Sequence, residues 1–97
     1  MPLYTIVRDV TGLSDGEIDA AAIRAVICAF EYPGFRWIRS YLDRDKQELL
    51  CLYEAQDISQ IREHAERSRI PAGEIREVEQ LLPDPYIEAA SSATPAT

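Results

Sequence analysis

Residues 35–54, Phe-Arg-Trp-Ile-Arg-Ser-Tyr-Leu-Asp-Arg-Asp-Lys-Gln-Glu-Leu-Leu-Cys-Leu-Tyr-Glu, decide the fold. From Phe35 to Leu42 the side chains alternate with the two-residue period of a β-strand. The charged segment 43–47 interrupts this pattern, and strand-forming residues resume from Glu48 to Glu54. The stretch therefore predicts a β-hairpin with a charged turn.

The sequence on each side of this hairpin predicts a helix. Before it, Ser14 and Glu17 have the spacing of a capping box, and the apolar residues of 15–31 form one helical stripe. After it, Asp57 has the character of an N-cap, and a second helical pattern extends to about Ser68. We therefore expect one helix before the hairpin and one after it.

The two ends of the folded region predict the outer strands. Residues 2–10 are rich in β-branched and aromatic types, and residues 75–82 form a weaker strand pattern with one acidic side. The acidic side suits an edge position in the sheet. The resulting β-α-β-β-α-β order predicts a ferredoxin-like α+β fold, with both helices on one face of a four-stranded antiparallel sheet.

The end of the chain has a different composition from the rest. Residues 83–97 lack periodicity and are rich in Ala, Ser, Thr and Pro. Such a segment buries too little apolar surface to offset the entropy of ordering. We therefore expect one domain over residues 1–82 and a flexible tail over residues 83–97.

Charge and composition restrict the partners. Ten Lys and Arg against 17 Asp and Glu give a net charge of -7, and an acidic surface repels nucleic acids and anionic membranes. The chain begins with no signal-type segment, which indicates a cytoplasmic protein. Its two cysteines, Cys28 and Cys51, form no metal or redox motif, so we expect two reduced thiols.

The hairpin also predicts which residues share a face of the sheet. If Leu42 opposes Glu48, one face carries an aromatic set, which we expect on the side that the helices leave uncovered. Such an exposed patch requires a cover, which is a second copy of the chain, a ligand, or both. Arg39 would anchor a carboxylate in a ligand pocket. The predicted pocket residues are Trp37, Arg39, Tyr41, Cys51 and Tyr53.

His64 is the only histidine of the chain and lies on the flank of the second helix. The residues four positions away on either side, Gln60 and Ser68, are poor metal ligands, so this helix carries no chelating pair. A structural role and a role as a metal ligand both remain open. No glycine-rich nucleotide or flavin motif and no catalytic triad pattern is present.

Four segments together resemble a known family: residues 1–9, residues 36–41 (Arg-Trp-Ile-Arg-Ser-Tyr), residues 51–55 (Cys-Leu-Tyr-Glu-Ala) and residues 62–65 (Arg-Glu-His-Ala). It is a bacterial family of small domains of unknown function, frequent in actinomycetes and described as nickel-binding proteins. The resemblance covers about residues 1–82. It implies a ferredoxin-like fold, a homodimer, and nickel binding at the dimer surface with sequestration as the role. The positions that match its motif are Trp37, Arg39, Tyr41, Cys51, Tyr53, Glu54 and His64.

Two function classes follow from these observations, and a pure interaction module with no binding site is a third. The first is a cytoplasmic homodimer that binds or sequesters nickel, with His64, Cys51 and Glu54 as candidate ligands. The alternative is a small-molecule enzyme or ligand-binding protein of the dimeric ferredoxin-like type, with His64 or Tyr41 as acid or base. The direction of His64 separates them: acidic neighbours in solvent favour the metal, and an aromatic cavity favours an organic ligand.

Overall fold

The helices and strands follow the expected order up to residue 78, and a third helix comes after them. The structure, a computed structural model, describes residues 1–93. Its elements are β1 (Leu3–Asp9), α1 (Asp15–Ala29), β2 (Arg36–Asp43), β3 (Glu48–Glu54), α2 (Ile58–Ser68), β4 (Ile75–Val78) and α3 (Pro83–Ala93).

The four strands form one antiparallel sheet in the order β2-β3-β1-β4. Alternate residues of β1, namely Tyr4, Ile6 and Arg8, are buried. The core that includes Tyr4 and Ile6 also contains Ile61 of α2, and Ala29 of α1 packs against it. Both helices therefore cover the same face of the sheet, as expected.

The predicted helix starts are confirmed by their caps. The Ser14 side chain accepts a hydrogen bond from the Glu17 backbone N–H at 3.1 Å, and the Glu17 carboxylate accepts one from the Ser14 N–H at 3.2 Å. The Asp57 carboxylate accepts from the Gln60 N–H at 2.9 Å. These bonds satisfy backbone donors that a helix leaves without partners in its first turn.

The register of the hairpin differs from the expectation by one residue. Glu48 lies opposite Asp43, because the Asp43 carboxylate accepts a hydrogen bond from the Lys46 N–H and thereby shortens the turn. Trp37 nevertheless lies opposite Tyr53, as expected, because a β-bulge between Trp37 and Arg39 takes up the extra residue.

This register separates the aromatic set that we expected on one uncovered face. Cys51 and Tyr53 are buried beneath the helices, since they lie opposite Ile6 and Tyr4 of β1. The prediction of a single uncovered aromatic face was therefore wrong. Cys51 and Tyr53 share the covered side with the buried residues of β1, and the shift of one residue puts Arg39 and Tyr41 on the opposite side. We name the uncovered side the open face; it carries Leu3, Thr5, Val7, Asp9, Arg39, Tyr41, Asp43, Glu48, Leu50, Leu52 and Glu54.

The segment after residue 82 forms a helix where we expected no secondary structure. Helix α3 begins at Pro83, a residue that suits the first turn, and its alanines favour helix. Residues 83–92 are exposed, including Tyr86 and Ile87. The last part of the expected tail, residues 94–97, lies outside the described residues.

The described chain is elongated. Its radius of gyration is 17.0 Å, against about 13 Å for a compact domain of this size. No helix within residues 1–93 is long and apolar enough to cross a membrane.

Candidate functional site

His64 lies in the core between α2, α1 and the sheet. Its side chain is 0% exposed, and its Nε2 lies 2.8 Å from the carbonyl oxygen of Ala25 in α1. A carbonyl only accepts, so Nε2 carries the hydrogen. The ring centroids of Phe35 and Tyr53 lie 4.4 and 5.9 Å from that of His64. The imidazole is therefore a packed, hydrogen-bonded part of the core.

The surroundings keep His64 neutral. Burial lowers the pKa of the imidazole below its ordinary value, and the charge of Arg8 lowers it further, against the opposing effect of the Ala25 hydrogen bond. The second ring nitrogen, Nδ1, is buried without a hydrogen-bond partner among the described residues. His64 thus faces aromatic rings rather than acidic groups in solvent.

The three candidate nickel ligands do not converge. Cys51 is buried on the helix-covered side, whereas Glu54 lies on the open face, where its carboxylate pairs with Arg36 at 3.4 Å. His64 is enclosed by rings and already bonded to Ala25. No group of three or more His, Cys, Asp or Glu that could hold a metal occurs within residues 1–93. One copy of this chain therefore offers these three residues no common nickel site.

A pocket of about 650 Å³ lies on the helix-covered side of the sheet, between α1 and strands β1 to β3. Three of the five residues that we expected in a ligand pocket, Trp37, Cys51 and Tyr53, line it. Arg39 and Tyr41 are on the open face and take no part in it. The pocket reaches solvent, since Leu13 and Trp37 in its lining are 40% and 37% exposed.

Arg8 is the residue of this pocket that sequence reasoning missed. Its side chain is 2% exposed, and Nη1 donates to the carbonyl oxygens of Pro71 at 2.8 Å and Ile70 at 3.3 Å. Nη2 donates to the Tyr53 hydroxyl at 3.4 Å. A signal was present: Arg8 continues the buried alternation of Tyr4 and Ile6, where an apolar residue is expected.

No carboxylate pairs with Arg8 among the residues that the structure describes. The guanidinium also lies 5.8 Å from the centre of the Tyr53 ring, a cation–π distance. Burial raises the pKa of the Tyr53 hydroxyl, although the charge of Arg8 opposes this rise. The inner end of the pocket is therefore positively charged, with neutral groups as its only partners in the described chain.

Fold and pocket together define a small α+β protein with an open antiparallel sheet, two helices over one face, and a ligand-sized pocket beneath them. The chain belongs to the SCO4226-like family of nickel responsive proteins, whose family model matches residues 4–78. This confirms the family suggested by the sequence. The crystal structure of SCO4226 from Streptomyces coelicolor A3(2) is similar in fold, with a TM-score of 0.72 at 18% identity, over 82% of this chain and 99% of that chain. No curated protein matches the sequence.

Proposed function

We propose that this protein binds nickel as a homodimer of ferredoxin-like subunits that pair through their open faces. The observation that carries the proposal is the match of residues 4–78 to a family of nickel responsive proteins. Nickel is here the cargo or signal of the protein. Its response to nickel requires a site, and the described part of one chain holds no cluster of three suitable ligands.

The open face supports the pairing of two copies. Tyr41 and Leu50 lie opposite each other on this face and are 59% and 43% exposed. Leu52 and Val7 continue the apolar surface on neighbouring strands and are partly buried. Contiguous apolar patches of this kind mark interaction sites, and sheets pack face to face through such surfaces.

Carboxylates at one end of the open face support a nickel site shared by two copies. Asp9, Glu48 and Asp43 lie directly opposite one another on three neighbouring strands. Hydrogen bonds from Thr11 lower the pKa of Asp9, which keeps this group ionised. Carboxylate oxygens coordinate divalent metals, and affinity at oxygen and nitrogen sites rises from manganese to nickel. Two copies would bring two such rows to one interface.

A nickel titration of protein purified without an affinity tag tests this proposal. We expect saturable nickel binding, with the number of bound ions counted per dimer rather than per chain. Glu48→Gln should bind nickel more weakly. Glu63→Gln, an exposed carboxylate of α2, is the matched control and should bind as the original chain does. Absence of saturable nickel binding, or equal binding by both variants, would overturn the shared site.

We propose a cytoplasmic location as well, and the two free thiols support it. Cys28 and Cys51 are both free, and unpaired cysteines are usual in a reducing compartment. The excess of acidic residues supports a protein that binds neither nucleic acid nor anionic membranes.

A further inference from the structure

The pocket beneath α1 carries an inference that does not depend on nickel. We propose that it binds a small carboxylic acid with an apolar body, and that the guanidinium of Arg8 recognises the carboxylate. The family description assigns no organic ligand. The pocket would give the protein a second, independent binding activity.

The charge of Arg8 has no counter-charge in the described chain. A guanidinium has five N–H donors, and the three hydrogen bonds of Arg8 all go to neutral oxygens. Nε has no partner in the described chain, and the bond to Tyr53 is long at 3.4 Å. Burying a cation without an anion is costly, whereas a carboxylate forms short, charge-assisted and often bidentate bonds with Arg. A carboxylate ligand would therefore supply the missing counter-charge.

The rest of the pocket has the size and the apolar surface of a small-molecule site. The volume of about 650 Å³ lies within the range of about 300–1,000 Å³ that is typical of small-molecule sites. Such sites combine an apolar wall with a few polar groups that fix the orientation of the ligand. The apolar wall here includes Leu13, Ile18, Ala21, Ala22, Trp37 and Leu49.

The other charged residues of the pocket lining are less buried than Arg8. Three acidic residues, Asp9, Glu17 and Asp19, line the pocket, and all three are exposed. Asp9, which also belongs to the open face, and Glu17 already accept hydrogen bonds from neighbouring residues. Arg24 and Arg69 also line it, and Arg24 donates to a backbone carbonyl. The only buried charge in the lining is that of Arg8, so a single anionic group is best placed at the inner end.

A purely structural role for Arg8 makes different predictions. Its bonds to Ile70 and Pro71 tie the segment after α2 to β1, and this alone would explain its burial. In that case the pocket would show no preference for a charged ligand. Two ligands that differ only in charge therefore distinguish carboxylate recognition by Arg8 from a purely structural role of Arg8.

The test is calorimetric titration of EDTA-treated protein with octanoate and, in parallel, with the neutral octanamide. We expect saturable binding of octanoate, and binding of octanamide that is at least about tenfold weaker, a difference of ~1.4 kcal/mol. Arg8→Gln should weaken octanoate to a similar degree, whereas Arg36→Gln, at an exposed arginine outside the pocket, should not. Equal affinity for the two ligands, or no binding of octanoate, would overturn the proposal.

A second variant keeps the test decisive if Arg8→Gln does not fold. Ala21→Phe adds a ring at the α1 wall and leaves the hydrogen bonds of Arg8 in place. It should abolish octanoate binding, whereas Ala89→Phe, on the exposed helix α3, should leave it unchanged. Unchanged octanoate binding by Ala21→Phe would show that the ligand binds elsewhere. Because the metal is removed, neither result bears on the nickel proposal.

Discussion

His64 in α2 donates a hydrogen bond from Nε2 to the backbone carbonyl oxygen of Ala25 in α1, at 2.8 Å. The bond joins the two helices at a point where both partners are buried. Phe35 packs against the same ring at 4.4 Å between centroids. From the sequence, His64 was a candidate metal ligand. In the structure it joins α2 to α1 through a hydrogen bond and packs against an aromatic ring of the core.

We expect His64→Ala to lower the free energy of unfolding by about 3 kcal/mol. The substitution leaves a cavity among aromatic rings and a buried carbonyl without its donor, and each change is destabilising. Urea denaturation measures the effect, with Glu63→Ala at the exposed neighbouring position as control. A stability equal to that of the original chain would contradict the structural role of His64.

The stability of the protein should also depend on pH through His64. Burial lowers its pKa in the folded state, so the unfolded chain binds the proton more readily. The stability contributed by this group is therefore present above the unfolded value of about 6.5 and is lost as the pH falls through the lower folded pKa. Urea unfolding between pH 7.5 and 5 should show a loss in the original chain that His64→Gln lacks.

A charge on the open face should dissociate the proposed dimer. Leu50→Glu places a carboxylate in the centre of the apolar surface, where a second sheet would bury it. We expect sedimentation velocity to show a shift from dimer to monomer at micromolar concentration. Ile27→Glu, at an exposed position of α1, should leave the dimer intact. A monomeric original chain would exclude this pairing.

Removal of most of α3 should change the thermal stability little. Truncation after Asp84 deletes residues that are exposed wherever the structure describes their side chains. For a domain of about 100 residues, a change of 1 kcal/mol shifts the melting temperature by about 4–8 °C, and we expect a shift below about 2 °C. A larger decrease in calorimetry would mean that Tyr86 and Ile87 pack against another surface, such as a second copy.

Local patterns in the sequence were sufficient for the parts of the fold that depend on neighbours in the chain. Ser14 and Asp57 marked the helix starts because capping is decided within four residues. The charged turn and its flanking alternation marked the hairpin in the same way. Helix α3 was missed because alanine-rich segments favour helix without producing an apolar stripe.

The candidate site depended on features that no local pattern reveals. The burial of His64 follows from the packing of α2 on α1, and the sequence shows only that it lies beside an apolar stripe. The bulge between Trp37 and Arg39 decides which side chains of β2 reach the pocket. No residue type or spacing within residues 36–40 predicts this bulge. Arg8 was missed although the sequence contains a signal, since it continues an alternation whose other members, Tyr4 and Ile6, are apolar.

The bulge between Trp37 and Arg39 also changes the alternation of side chains along β2. Trp37 and Tyr41 are four residues apart and would share a side in a regular strand, yet Trp37 reaches the pocket and Tyr41 the open face. Deleting Ile38 would leave Trp37 and Tyr41 three residues apart, so a regular strand without the bulge would keep Trp37 at the pocket and Tyr41 on the open face. With the extra residue in place, two aromatic side chains four positions apart lie on opposite sides of the sheet, one at the pocket and one on the open face.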